Sequence, residues 1–138
     1  MNEYAFSDIQ VGMEAGFCVT VTQEMMDAFR TLSGDENPMH TDASFARENG
    51  FGGVVVYGLL VSSFYSRLAG MYLPGKYCLL QEVSTQFAKP VFVGDSLSVR
   101  GTVVEKSESV RQVVIKAEIR NQDGSKVNRA KIKAGMVR

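Results

Sequence analysis

The chain has 138 residues, 45% hydrophobic and 22% charged, a balance that suits one compact domain over 1–138 and excludes a disordered or fibrous chain. Its 15 Lys and Arg offset 15 Asp and Glu, so the broad positive field with which nucleic-acid binders hold phosphates is missing. The longest apolar stretch, GGVVVYGLLV at residues 52–61, is interrupted by glycines and falls well short of the ~20 residues that span a bilayer; neither nucleic acid nor a membrane is expected as a partner.

The amino-terminal MNEYAFSDIQVG has neither the basic start nor the apolar centre of a secretory leader, so a cytoplasmic protein is expected. Cys18 and Cys78 stand far apart with no Cys or His beside them; no disulfide framework and no metal site is expected, and both are read as buried thiols. In FCVTV, Phe17, Val19 and Val21 alternate, the mark of a half-buried strand. TQEMMDAFRTLSG then places Met25, Met26, Phe29 and Leu32 at helical spacing, with Thr22 as cap and Gly34 as stop.

Asp35 opens a loop that runs to about Asp42, and DASFAREN reads as a short helix starting at Asp42 or Ser44 and ending at Asn49-Gly50. After the joint GFGG, the segment from Gly58 to Tyr72 is apolar on nearly every side, which predicts a helix buried all round and stopped by Pro74-Gly75. The period then changes to two. Leu79, Val83, Thr85 and Phe87 share a face, as do Leu97, Val99 and Val103, then Val113, Ile115, Ala117 and Ile119; a turn at NQDG, 121–124, leads to Ala130, Ile132, Ala134 and Met136. One strand, helical segments and a run of antiparallel strands make an α+β layout in which the apolar helix must cover the sheet. A long antiparallel sheet wrapped around one buried helix describes the hot-dog fold, although periodicity alone does not separate it from other helix-on-sheet arrangements.

Three stretches carry a resemblance: SGDENPMHTDASFA (33–46), YGLLVSS (57–63) and PVFVGDSLSVRGTVVEK (90–106). In order and spacing they resemble the MaoC-like (R)-specific enoyl-CoA hydratases, or hydratase 2, over roughly residues 6 to 106, with D-x-N-P-x-H at Asp35, Asn37, Pro38 and His40 as the distinctive element. The resemblance implies a hot-dog homodimer, or a higher oligomer of dimers, that hydrates trans-2-enoyl thioesters to (R)-3-hydroxyacyl thioesters or runs in reverse. It implies Asp35 and His40 as the catalytic pair, Ser63 as a serine beside the aspartate, and Gly58 near the backbone N–H that receives the thioester oxygen. One departure stands out: many members carry histidine immediately before the helix glycine, where this chain has Tyr57.

The chemistry suits these residue types. Hydrating an enoyl thioester requires activated water at the β-carbon, a proton for the α-carbon and stabilisation of an enolate-like oxygen. A carboxylate and the chain's one histidine can hold a water between them, and Pro38, by fixing its own φ and extending Asn37, bends the chain so that both can aim into one cavity. The Asn37 amide is free to bond across the loop or to a ligand, and the start of the buried helix at Gly58 favours developing negative charge. Ser63 is expected to pair with Asp35. Residues 58–72 contain no Asp or Glu, whereas hot-dog thioesterases and the hot-dog dehydratases of fatty-acid synthesis often carry a carboxylate on that helix. The expected substrate is an acyl-CoA, with no metal and no bound cofactor. An acyl-CoA thioesterase on the same fold and a non-catalytic acyl-thioester binding module are the alternatives, and SGDENP on its own reads equally as a helix end and turn.

Overall fold

The computed structural model describes residues 1–138. Strand β1, Glu14–Thr20, leads into helix α1, Gln23–Ser33; a single turn α2, Pro38–Thr41, and a short helix α3, Ala43–Glu48, precede the central helix α4, Gly58–Arg67. Four further strands follow: β2, Cys78–Phe87; β3, Ser96–Ser107; β4, Gln112–Arg120; and β5, Lys126–Met136. All five strands form one antiparallel sheet in the order β1-β3-β4-β5-β2, so β1 and β2 are its edges. No helix is long and apolar enough to cross a membrane.

The local signals act where the sequence puts them. The Thr22 hydroxyl accepts the Met25 N–H at 3.2 Å, and Gly34 ends α1 in the left-handed region at φ 72°. Met26 is buried beneath α1, whereas Leu32, in the last turn, is exposed. Asp42 caps α3 by accepting from Ser44 and Phe45, and the turn after β4 is held by Asn121, whose side chain accepts from Asp123 and Ser125.

Helix α4 lies on the inner face of the sheet. Leu60, Val61 and Tyr65 are buried, and a π-helical turn, Leu68–Tyr72, continues it with the Leu73 N–H donating to the Leu68 carbonyl. Their counterparts on the sheet are Leu97, Val99, Val103, Val113, Ile115, Ile119, Ile132 and Ala134, each at most 1% exposed. The helix is not buried all round: Leu59, Ser63, Ser66 and Arg67 face outward, because the sheet covers only one side of it.

Two further expectations are corrected by strand geometry. A bulge at Gln81, where Leu80 and Glu82 pair with successive residues of β5, reverses the alternation, so Leu80 rather than Leu79 shares a face with Val83, Thr85 and Phe87. Cys18 is exposed, because the period-2 pattern of β1 turns it away from Phe17 and Val19; Cys78 is half-buried and its thiol is pushed up by burial.

Between α4, β2 and β5 sits the core's one wholly polar cluster. The Tyr65 and Thr85 hydroxyls donate to Asn128 Oδ1 at 2.9 and 2.8 Å, and Asn128 Nδ2 donates to Ser62 Oγ at 3.1 Å. With the Thr85 proton committed, Ser62 donates to Thr85 Oγ1, also at 3.1 Å, which closes a ring. Asn128 and Tyr65 are wholly buried, and no buried side-chain polar atom lacks a partner. Replacing Asn128 with leucine removes three of these four hydrogen bonds and leaves the buried Tyr65 hydroxyl without a partner, so Asn128→Leu should lower unfolding free energy by about 3 kcal/mol. Urea denaturation measures this, and a loss below about 1 kcal/mol would show that the ring contributes little to stability.

Candidate active site

The site begins where α1 stops. After Gly34 the Asp35 N–H donates to Ser33 Oγ at 3.2 Å, and Asp35 Oδ1 accepts the Asn37 N–H at 3.0 Å. Asn37 Oδ1 in turn accepts the Met39 N–H at 2.9 Å and caps α2, with Pro38 at its first position, where a missing N–H costs nothing. What reads as one loop from Asp35 to Asp42 therefore contains a helical turn, and that turn carries His40. Arg30 pairs with Glu36 across this bend, which lowers the Glu36 carboxyl below its usual range.

Main-chain contacts orient the imidazole. His40 Nδ1 lies 2.6 Å from the Val55 carbonyl, and the Val55 N–H donates to the Met39 carbonyl at 3.0 Å. A carbonyl only accepts, so Nδ1 carries the proton and Nε2 of the neutral ring is left with a free lone pair. The ring stacks on Tyr57, with centroids 4.2 Å apart and planes 30° apart. Tyr57 is 2% exposed, its hydroxyl donates to the Asp35 main-chain carbonyl at 2.8 Å, and its ring meets Phe29 at 4.9 Å.

His40 borders a cavity of about 270 Å³ lined also by Gly58, Val61, Phe87, Val91 and Asn128. The Val61 N–H to Tyr57 carbonyl bond at 3.2 Å is the first rung of α4, so the Gly58 N–H at the cavity wall has no acceptor in the chain. A Cβ on Gly58 would stand 3.0 Å from the Phe87 ring, so a larger residue there would push that ring aside. A second cavity, about 240 Å³, lies on another side of His40 and Tyr57 and is bordered by Met26, Asp27, Arg30 and Thr41.

The expected site residues thus fall into two groups. His40 and Gly58 share one cavity. Asp35 lines neither cavity; it lies exposed on the adjoining loop, tied to the His40 ring through Tyr57 rather than by a direct hydrogen bond. Asn37 is spent on the α2 cap. The expected pairing of Ser63 with Asp35 is corrected: Ser63 is on the outward face of α4 and its hydroxyl donates to the Leu60 carbonyl at 2.5 Å, the local bond a helical serine makes most readily. Three roles escaped the sequence reading. Tyr57 stands out there only as a departure from the family's histidine, Val55 acts through its main chain, and Asn128 lies in a strand whose partners only the register reveals.

A model of the MaoC like domain matches residues 8–124. The chain belongs to the MaoC-like family. It is 33% identical over 117 residues to the (R)-specific enoyl-CoA hydratase of Aeromonas caviae, covering 85% of this chain and 87% of that protein. With the (R)-specific enoyl-CoA hydratase of Rhodospirillum rubrum it shares 32% identity over 98 residues, 71% of this chain and 68% of the relative. The solved (R)-hydratase of A. caviae superposes with a TM-score of 0.89 at 30% identity, covering 93% of this chain and 97% of that one. The sheet and central helix of this MaoC-like chain are the hot-dog fold.

Because His40 is the chain's one histidine, its nitrogen signals need no assignment by elimination. Long-range ¹H–¹⁵N spectra of the neutral ring should show the Nδ1–H tautomer; the Nε2–H tautomer would contradict the bond to Val55.

Proposed function

We propose that this MaoC-like chain is an (R)-specific enoyl-CoA hydratase, a hydro-lyase that adds water across a trans-2-enoyl-CoA and also catalyses the reverse dehydration of (R)-3-hydroxyacyl-CoA. The observation that carries the reading is one cavity bordered both by His40, whose Nε2 makes no hydrogen bond in the chain, and by Gly58, whose N–H is open at the start of an apolar helix. Those two features suit the two charges the reaction creates.

In this scheme the thioester oxygen accepts from the Gly58 N–H. His40 Nε2 and the Asp35 carboxylate hold the water; as its oxygen bonds to C3, the C2–C3 π electrons move toward the thioester and the enolate-like oxygen leans on Gly58. The proton leaving the water is taken up by this pair, which in turn delivers a proton to C2 and returns to its starting state, so the product gains one H and one OH. Asn37 acts by fixing α2 and hence His40, and Ser63 stays with its own helix turn. Water is the only co-substrate, and the scheme draws on no metal and no bound cofactor.

A homodimer and a cytoplasmic setting belong to the same reading. Edge strand β2 leaves Leu79, Leu80 and Phe87 at 56%, 41% and 57% exposure, with Leu59 of α4 at 65%. A second copy of the chain paired along β2 removes that unpaired edge and covers the outward face of α4. Sedimentation velocity should give twice the 15.1 kDa chain mass at micromolar concentration, and a persistent monomer would overturn this part.

The activity test is the loss of enoyl-thioester absorbance with crotonyl-CoA and longer enoyl-CoAs, with product stereochemistry determined. The wild type should give the (R)-alcohol, and His40→Ala and Asp35→Asn should each lower kcat by roughly 10²–10⁴-fold. Release of free coenzyme A without a hydroxyacyl product would identify a thioesterase instead. Tight acyl-CoA binding with no turnover of any chain length would identify a binding module.

A further inference from the structure

Tyr57 touches every piece of the site. It is the residue that opens α4, immediately before Gly58; its hydroxyl reaches the Asp35 carbonyl of the loop, one ring contact is the His40 imidazole on α2, and the other is Phe29 of α1. The phenol is held as a donor: burial and the nearby Asp35 carboxylate both push it above the usual tyrosine range.

Besides Tyr57, the turn carrying Asp35 is tied to α1 by the exposed ion pair of Arg30 with Glu36. The other hydrogen bonds of Asp35 run to Ser33 and Asn37, both two residues away, and Ser33, Gly34, Asp35, Glu36 and Asn37 are all exposed. Such short-range bonds shape the turn but do not fix its height above the cavity. The bond from Tyr57, 22 residues distant in sequence, is the long-range tie. Asp35 lines neither cavity in the free chain, so the distance over which it must act with His40 depends on where that tie holds the turn.

From this arrangement we infer that Tyr57 is a positioning residue that latches the Asp35 turn to the start of α4 and thereby sets Asp35, His40 and the Gly58 N–H relative to one another. The latch rests on the hydratase reading for its catalytic consequence but not for its structural one. It acts on geometry and does not touch the reacting atoms, so its loss should appear in turnover more than in substrate binding.

The test is Tyr57→Phe, which keeps the ring against His40 and Phe29 and removes only the hydroxyl. With crotonyl-CoA, kcat should fall at least tenfold while KM changes less than threefold. Amide hydrogen exchange at Asp35 and Asn37, whose N–H groups are bonded within the turn, should accelerate at least tenfold, with exchange in the β3–β4–β5 core unchanged. Tyr57→Leu, which also removes the stack, should in addition move the His40 ring proton signals downfield, as loss of a stacked aromatic requires. Unchanged exchange in the Asp35 turn of Tyr57→Phe overturns the latch, and so does a kcat within twofold of wild type. If the wild type turns over no enoyl-CoA, the hydratase reading fails while the exchange comparison still decides the latch.

Discussion

The contact between Leu68 and Gly101 sets the depth at which the central helix sits. A Cβ on Gly101 would lie 2.9 Å from both Leu68 Cδ2 and Ile115 Cγ2, so strand β3 must present bare backbone there. The helical segment sinks to that depth, and its next turn back toward the amino terminus brings Tyr65, Val61 and Leu60 onto the sheet. From Leu68 to Gly58 is ten residues, roughly 15 Å of helix, so the seat at one end fixes where the open N–H groups at the other end emerge. The core thus determines where the open Gly58 N–H stands at the end of the cavity.

The histidine end is positioned differently, by main chain. Val55 takes the His40 Nδ1–H, donates to the Met39 carbonyl and pairs with Phe92 in an isolated bridge, so one extended residue ties α2 to the turn before β3. Asp95 braces that turn by accepting the Phe92 N–H at 3.0 Å. Two independent supports, one hydrophobic and one hydrogen-bonded, therefore converge on the wall of a single cavity. Neither requires the other to be rebuilt if the acyl pocket changes shape.

Regular periodicity and capping chemistry made most of this architecture legible in advance. Thr22 and Gly34 bound α1 as their side-chain chemistry dictates, and the inner faces of β3, β4 and β5 alternate as the hydrophobic pattern requires. The illegible parts have identifiable causes. An extra residue at Gln81 shifts the parity of β2 without leaving any compositional trace, and the outward face of α4 is apolar at Leu59 for a reason outside the single chain's own core. The motif located His40 and Asp35, but not the role of Val55, because a carbonyl that orients an imidazole has no side-chain signature. Ser63 was misplaced because two adjacent serines point about 100° apart around a helix, and Ser62 is the one turned inward.

The ring of Ser62, Thr85 and Asn128, with Tyr65 feeding into it, has a consequence for how this chain can diverge. Asn128 is its hub, because Oδ1 accepts from Tyr65 and Thr85 while Nδ2 donates to Ser62, so a change at Asn128 removes three of the four bonds and leaves the Tyr65 hydroxyl without a partner. Single steps away from it pass through a weakened intermediate, whereas a concerted exchange for an apolar set does not. Since Asn128 also lines the cavity, a change made there in the pocket's floor is felt on α4, β2 and β5 at once, through Tyr65, Ser62 and Thr85.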